Sequence, residues 1–196
     1  MKYTEQIRSI LRAEAKAIEN IPVDESYEKA IAILLACEGK VLTTGIGKAG
    51  HIARKCAATL CSTATPADFV HPAEAAHGDL GLVGPGDVVI AFSTSGKSRE
   101  VIEMLELSRD LGVDKAIGIT SHPDSPLRGL CEVILGMGDI EEPCPLSLTP
   151  SASTAVMHAI GDALALTLMQ EKGTTREDFG RRHHGGYLGR KARSQS

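Results

Sequence analysis

The sequence has no tryptophan, and its three phenylalanines and three tyrosines make an aromatic share of only 3%. Stacking platforms for single-stranded nucleic acid are therefore poorly supplied. Positive charge is not in excess either, since 21 Lys and Arg against 25 Asp and Glu leave a formal charge of −4. That balance argues against a nucleic-acid footprint, although the stretch from Arg181 to Arg193 is locally basic. Such a stretch reads as a solvated end, or as a lid over an anionic substrate. The five cysteines are an odd number and contain no C-x-x-C pair, so neither a disulfide framework nor a zinc ribbon is indicated. Cys56 and Cys61 lie in an apolar stretch and read as small core residues. No apolar run of membrane-spanning length stands out, and the N-terminus lacks the apolar core of a signal peptide. The expectation is a reduced, cytoplasmic protein with no membrane partner. No internal repeat or low-complexity linker appears, so the 196 residues are read as one domain, 1–196, large enough to bury a core without staples.

What is present has a clear order. Ile7, Ile10, Leu11 and Ile18 share a face at helical spacing. Pro22 ends that segment, and Asp24 suits the N-cap of a second helix presenting Ile31, Leu34 and Leu35. Together these give N-terminal helices over about 3–38. The pattern then changes to short apolar runs at 41–44, 68–70, 88–92, 116–120 and 132–135, separated by helix-length segments. Runs that are apolar without alternation indicate a parallel sheet covered on both faces. A long last helix over about 151–170 carries Val156, Ile160, Leu164 and Leu168 on one stripe. The fold class expected is α/β, a three-layer αβα sandwich around a five-stranded parallel sheet, ending in a basic tail over about 181–196. Ligands of such folds sit at the carboxyl ends of the strands.

The loop after the third run, Ser93-Thr94-Ser95-Gly96-Lys97-Ser98, is the strongest local signal. Hydroxyls and backbone N–H groups gathered at a helix N-terminus favour an anion, because the orphan donors and the helix dipole act together. An ordinary N-cap needs fewer such residues than are packed here. The loop after the first run, Gly45-Ile46-Gly47-Lys48-Ala49-Gly50, matches the G-x-G-x-x-G dinucleotide fingerprint. Its companion acid, Asp68, precedes the next apolar pair instead of following it, and a lysine inside the glycine turn is unusual there. A second wall of one phosphosugar pocket is the better reading, with Lys48 holding a phosphate, a hydroxyl or a developing oxyanion. A metal site from His71, His77 and Asp79 fits no familiar zinc spacing and is not expected. Aldose–ketose chemistry needs a carboxylate or imidazole to move protons, and Glu100, Glu142 and His183 are of the right type. Their spacing does not show that they converge.

Three long motifs, Gly45-Ile46-Gly47-Lys48-Ala49-Gly50-His51, the stretch from His71 to Gly81, and Ser93-x-Ser95-Gly96-x-Ser98, resemble the sugar isomerase (SIS) domain of D-arabinose 5-phosphate isomerases. The resemblance continues through Glu142-x-Cys144-Pro145-Leu146, Gly161-Asp162-Ala163, Glu177-Asp178-Phe179 and His183-x-Gly185-Gly186-x-Leu188-Gly189-Arg190-Lys191. It implies the SIS fold, a homotetramer with pockets shared between subunits, and interconversion of arabinose 5-phosphate and ribulose 5-phosphate on the way to the lipopolysaccharide sugar Kdo. It implies catalytic roles for Lys48, Glu100, Glu142 and His183. It implies phosphate or substrate contacts at Gly47, Ser93, Thr94, Ser95, Ser98 and His77, with no cofactor and no metal. Many relatives carry paired CBS domains after the SIS domain; none follows Lys191 here, so regulation through them is not expected. Lys97, His184 and Tyr187 depart from the family pattern, and they leave the sugar's length and stereochemistry open. The rival readings are an isomerase of a hexulose, heptulose or octulose phosphate, a non-catalytic phosphosugar-binding module, and a dinucleotide-dependent oxidoreductase.

Overall fold

The computed structural model describes residues 2–193. Helix α1 (Lys2–Glu19) and helix α2 (Glu25–Leu35) lead into strand β1 (Val41–Gly45). Then follow α3 (Gly47–Ser62), β2 (Ala67–Phe69), α4 (Pro72–Ala75), β3 (Val88–Phe92), α5 (Arg99–Asp110), β4 (Lys115–Thr120) and β5 (Val133–Gly136). The chain continues with α6 (Ala152–Glu171), α7 (Arg176–Arg182) and α8 (Gly186–Arg193), and short 3-10 turns sit at Asp79–Leu82 and Pro126–Leu130. All five strands pair in parallel in the order β2-β1-β3-β4-β5. Each expected run is a strand, and the long helix expected over 151–170 is α6, which is not the last because α7 and α8 follow it.

The sheet is sandwiched because successive strand residues point to opposite faces. Val88, Ile90 and Phe92 of β3 join α2, α3 and α6 in one core. Val89 and Ala91 join Val101, Met104 and Leu105 of α5, with Ala75 of α4, in the other. Both faces being apolar is what leaves the strands without alternation. The polar intruders are satisfied: the buried Thr43 hydroxyl donates to the Ala53 carbonyl at 2.8 Å, and Thr44 donates to the Val70 carbonyl at 2.9 Å.

Local chemistry sets the helix ends. The Asp24 carboxylate accepts from the Ser26 N–H at 2.8 Å, so it caps α2 as expected. Leu34 is fully buried, whereas Leu35 is exposed. Thr175 and Asp178 form a reciprocal capping box at α7.

Three expectations are amended. Of the face read on α1 only Ile10 packs inward: Ile7, Leu11 and Ile18 are exposed, and half-buried Ile10 joins Ala13 and Ala17 in the inward stripe of a helix that packs on α6. The tail read as starting at 181 is the end of α7 followed by α8, while its last three residues, 194–196, lie outside the described residues. Finally, no apolar run of membrane-spanning length is expected, yet α6 is long and apolar enough to cross a membrane by length and composition alone. Nine of its residues, from Ala152 to Leu168, are buried among the helices and strands of this domain, so its apolar character is used in the core.

Candidate active site

The strand order reverses direction between β1 and β3, since the chain steps outward to β2 on one side and to β4 and β5 on the other. At such a switch point the loops leaving the two central strands diverge and open a crevice at their carboxyl ends. A cavity of about 310 Å³ occupies this place, lined by Lys48 and Ala49 of α3, by Ser93, Thr94, Ser95 and Ser98, and by His122, Pro150 and Thr154. The fold thus brings the lysine of the glycine turn and the serine loop together, although 45 positions separate Lys48 from Ser93.

Backbone geometry explains why those two loops are glycine-rich. Gly47 has φ +62° and Gly96 has φ +62°, the left-handed region that side chains avoid. A Cβ on Gly50 would stand 2.5 Å from the Gly45 carbonyl oxygen, so α3 can rise off β1 this closely only without one. On Gly96 it would overlap the Ser125 hydroxyl beneath the loop. The two helices that start here lack side-chain caps. Ile46 has no polar atom to offer α3, and the Ser98 hydroxyl pairs with Ser93 Oγ at 3.1 Å instead of capping α5. Orphan N–H groups at two converging helix ends, with hydroxyls between them and a lysine alongside, make a receptor for an anion.

A much larger groove of about 1160 Å³ runs between α1 and the segment 139–147. Its walls carry Glu14, Asp139, Glu141 and Glu142 against the single Lys16. That sign is wrong for a phosphate, so size does not decide the site; charge does.

Glu142 lies in that groove, at the N-terminus of α6. Its carboxylate accepts from the backbone N–H groups of Ser151 at 2.8 Å, Ala152 at 2.9 Å and Ser153 at 3.2 Å, and from the Ser153 hydroxyl. Partial burial alone would raise its pKa, but the Ser153 hydroxyl and the three N–H groups outweigh it and hold the carboxyl below the ordinary 4.5. Thr154, the residue after Ser153, lines the smaller cavity, so one helix end separates Glu142 from it. Glu100 is half-buried in the first turn of α5, two residues beyond Ser98, and it does not line the cavity.

The two expected histidines stand apart. His77 is exposed beside Gly78, whose φ is +124°. His183 closes α7, stacked on Phe179 with ring centroids 3.8 Å apart, its Nδ1 2.9 Å from the Phe179 carbonyl. Helix α7 begins where Lys172 and Thr174 reach Thr65 and Thr63, beyond the C-terminus of α3. That is the far end of α6, about 26 Å from Thr154 for the 17 residues on to Glu171 at 1.5 Å each. Within one chain, then, Lys48 and the serine loop meet, and His183 does not join them.

His122 is the lining residue that motif reading missed. It belongs to no recognisable pattern, and only the β3–β4 pairing brings its turn beside the serine loop. The dinucleotide rival loses its acid: Asp68 is exposed within the edge strand β2, where its carboxylate accepts from its neighbour's N–H. Among the described residues no group of three or more His, Cys, Asp or Glu side chains stands together in a metal-binding arrangement.

A family profile described as the SIS domain matches residues 34–167. The arabinose 5-phosphate isomerase KdsD of Pseudomonas aeruginosa is 47% identical over 169 residues, covering 86% of this chain and 52% of that protein. The chain spans about half the length of the curated relatives it matches. Among solved structures, a candidate phosphosugar isomerase involved in capsule formation from Bacteroides fragilis superposes with a TM-score of 0.91 at 44% identity, covering 94% of this chain and 99% of that one. Escherichia coli CFT073 c3406, solved in complex with arabinose 5-phosphate, superposes at 0.89 with 40% identity, over 93% of this chain and 97% of that one.

Proposed function

Because this chain belongs to the SIS-domain family, we propose that it is an aldose–ketose isomerase interconverting D-arabinose 5-phosphate and D-ribulose 5-phosphate. The observation that carries the reading is the convergence of Lys48 with Ser93, Thr94, Ser95 and Ser98 on one cavity at the β1–β3 switch point. The curated relatives of about twice its length are named for that activity, and c3406, which this chain nearly covers, holds arabinose 5-phosphate.

In this reading the phosphate sits on the serine hydroxyls and the first N–H groups of α5, and Gly47 lets the α3 turn close on it. Lys48 steadies the oxygen that gains charge as the carbonyl becomes an enediol. One of Glu100 and Glu142 removes the proton from one of the two reacting carbons and returns it to the other. His183 moves the proton between the two oxygens, so that one C–H and one O–H bond break as one of each forms. Its distance from the cavity in its own chain supports delivery from a neighbouring copy, with His77 as a further rim residue, in the homotetramer proposed for the active form. The reaction needs no resident cofactor, and its product would feed Kdo synthesis in the cytoplasm.

Proton NMR in D2O with a panel of five- to eight-carbon aldose and ketose phosphates tests this. Deuterium should enter next to the carbonyl of the five-carbon pair. Exchange confined to a longer sugar would replace the substrate and keep the reaction. Binding without exchange for every member would leave a non-catalytic phosphosugar module.

A further inference from the structure

Among the described residues, only two titratable side chains line the phosphate cavity: Lys48 and His122. His122 follows β4, and its turn is pinned to the serine loop from below. Ser93 N–H donates to the Ile119 carbonyl at 3.0 Å, and the Thr94 carbonyl accepts from the Ser121 N–H and the Thr120 hydroxyl, each at 3.0 Å. Leu127 N–H closes on the Gly96 carbonyl at 3.2 Å. His122 itself is held at both backbone ends, its N–H on Thr120 Oγ1 at 3.1 Å and its carbonyl accepting from Ser125 N–H at 2.9 Å. These bonds hold the His122 backbone in place relative to the loop, with its exposed side chain lining the cavity.

The lateral order of the strands fixes the rest. Lys48 enters from the β1 side, the serine loop lies in the middle on β3, and His122 enters from the β4 side. A phosphate monoester carries between one and two negative charges near neutrality. Lys48 supplies one positive charge, no carboxylate of the described residues lines the cavity, and the exposed Lys97 is not among its walls. An imidazole N–H is the donor left on the wall away from Lys48 to meet the phosphate's further oxygens.

We infer that His122 is a substrate-binding residue that donates an imidazole N–H to the phosphate, opposite Lys48 across the serine loop. The inference rests on the phosphosugar reading of the cavity, and it adds to that reading a contact that the family's motifs do not mark.

The test uses the full chain, with inorganic phosphate and arabinose 5-phosphate as probes. Isothermal titration of wild type and His122→Ala should show both probes binding about tenfold more weakly to the variant, the effect of losing one hydrogen bond to a charged group. In wild type, titration with inorganic phosphate should move the ¹⁵N resonances of the His122 ring, a change that a merely structural histidine would not show. Equal affinity in the two proteins, or unmoved ring resonances with phosphate bound, overturns the contact. Weaker binding of the sugar phosphate alone also overturns it, because the ring would then touch the sugar. If wild type binds neither probe, the cavity itself has been misread and the contact falls with it. Matching thermal unfolding of the two proteins checks that His122→Ala folds.

Discussion

At the scale of single residues, hydrogen bonds and burial pull ionisation in opposite directions. Cys144 is the clearest case: its Sγ accepts from the N–H groups of Leu148 and Thr149, each at 3.2 Å. These two donors lower its thiol pKa to about 7, whereas burial pushes those of Cys56 and Cys131 up to about 12. Alkylation by iodoacetamide followed by peptide mapping should therefore mark Cys144 first, with a rate rising through about pH 7, and leave the two buried thiols unmodified. Glu142 is a second case. Its folded pKa is lowered, so its contribution to stability is complete above the unfolded value of 4.5 and is lost as the pH falls through the lower folded value. Replacing it with Gln puts an amide NH₂ against donors at the start of α6. The cost should be about 1–2 kcal/mol in urea unfolding, against less than about 0.5 kcal/mol for Glu100→Gln. Whichever of the two moves the carbon-bound proton should lose about a hundredfold or more in turnover when made Gln. Full turnover in both variants would remove the carboxylates from the mechanism.

At the scale of elements, the two glycine-bearing loops make the sharpest prediction. Gly50→Ala forces α3 away from β1, because the obstructing atom is the backbone oxygen of Gly45 and cannot swing aside. The helix start and Lys48 shift together, so substrate affinity and melting temperature should fall together in paired calorimetry and binding measurements. Gly96→Ala meets a side chain, Ser125, and so combined replacement with Ser125→Gly relieves the overlap but not the φ of +62°. The double variant should recover part of the stability and little of the phosphate binding.

Much of this was legible in the sequence. The unalternating runs gave away a doubly covered parallel sheet, and serines crowded before a helix pointed to an anion. What was not legible follows from the same physics. Helical periodicity shows that Ile7, Leu11 and Ile18 share a stripe, but not whether the stripe meets this chain or another, and it is the neighbouring stripe that packs on α6. The approach of His122 to the serine loop depends on the β3–β4 register, to which no local pattern corresponds. Nor does the right residue type at Glu142 reveal that its oxygens are already engaged by the start of α6.

At the scale of the whole molecule, the outer surface carries features that one chain leaves uncovered. Tyr3, Ile7 and Leu11 line up on α1, Leu146 and Leu148 stand out from the loop before α6, and Tyr187 and Leu188 project from α8. If the proposed tetramer shares its pockets, complementation should reveal it. Lys48→Met and His183→Ala chains, each inactive alone, should regain a measurable part of the isomerase rate after being unfolded and refolded together. Light scattering on the mixture should give the mass of the wild-type assembly. Failure to recover any rate would mean that both residues serve the pocket of their own chain.

Helix α6 connects these scales. One end borders the cavity of Lys48 and the serine loop, and the other carries the α7–α8 hairpin with its histidine. Because its buried stripe runs nearly the whole length, the rod can neither slide nor tilt without opening the core. It therefore works as a ruler. One helical turn inserted after Leu168, or removed before it, would displace the hairpin by about 5.4 Å while leaving the serine loop untouched. Helix length, which no site motif records, would then be as strict a requirement as any of the side chains it spaces.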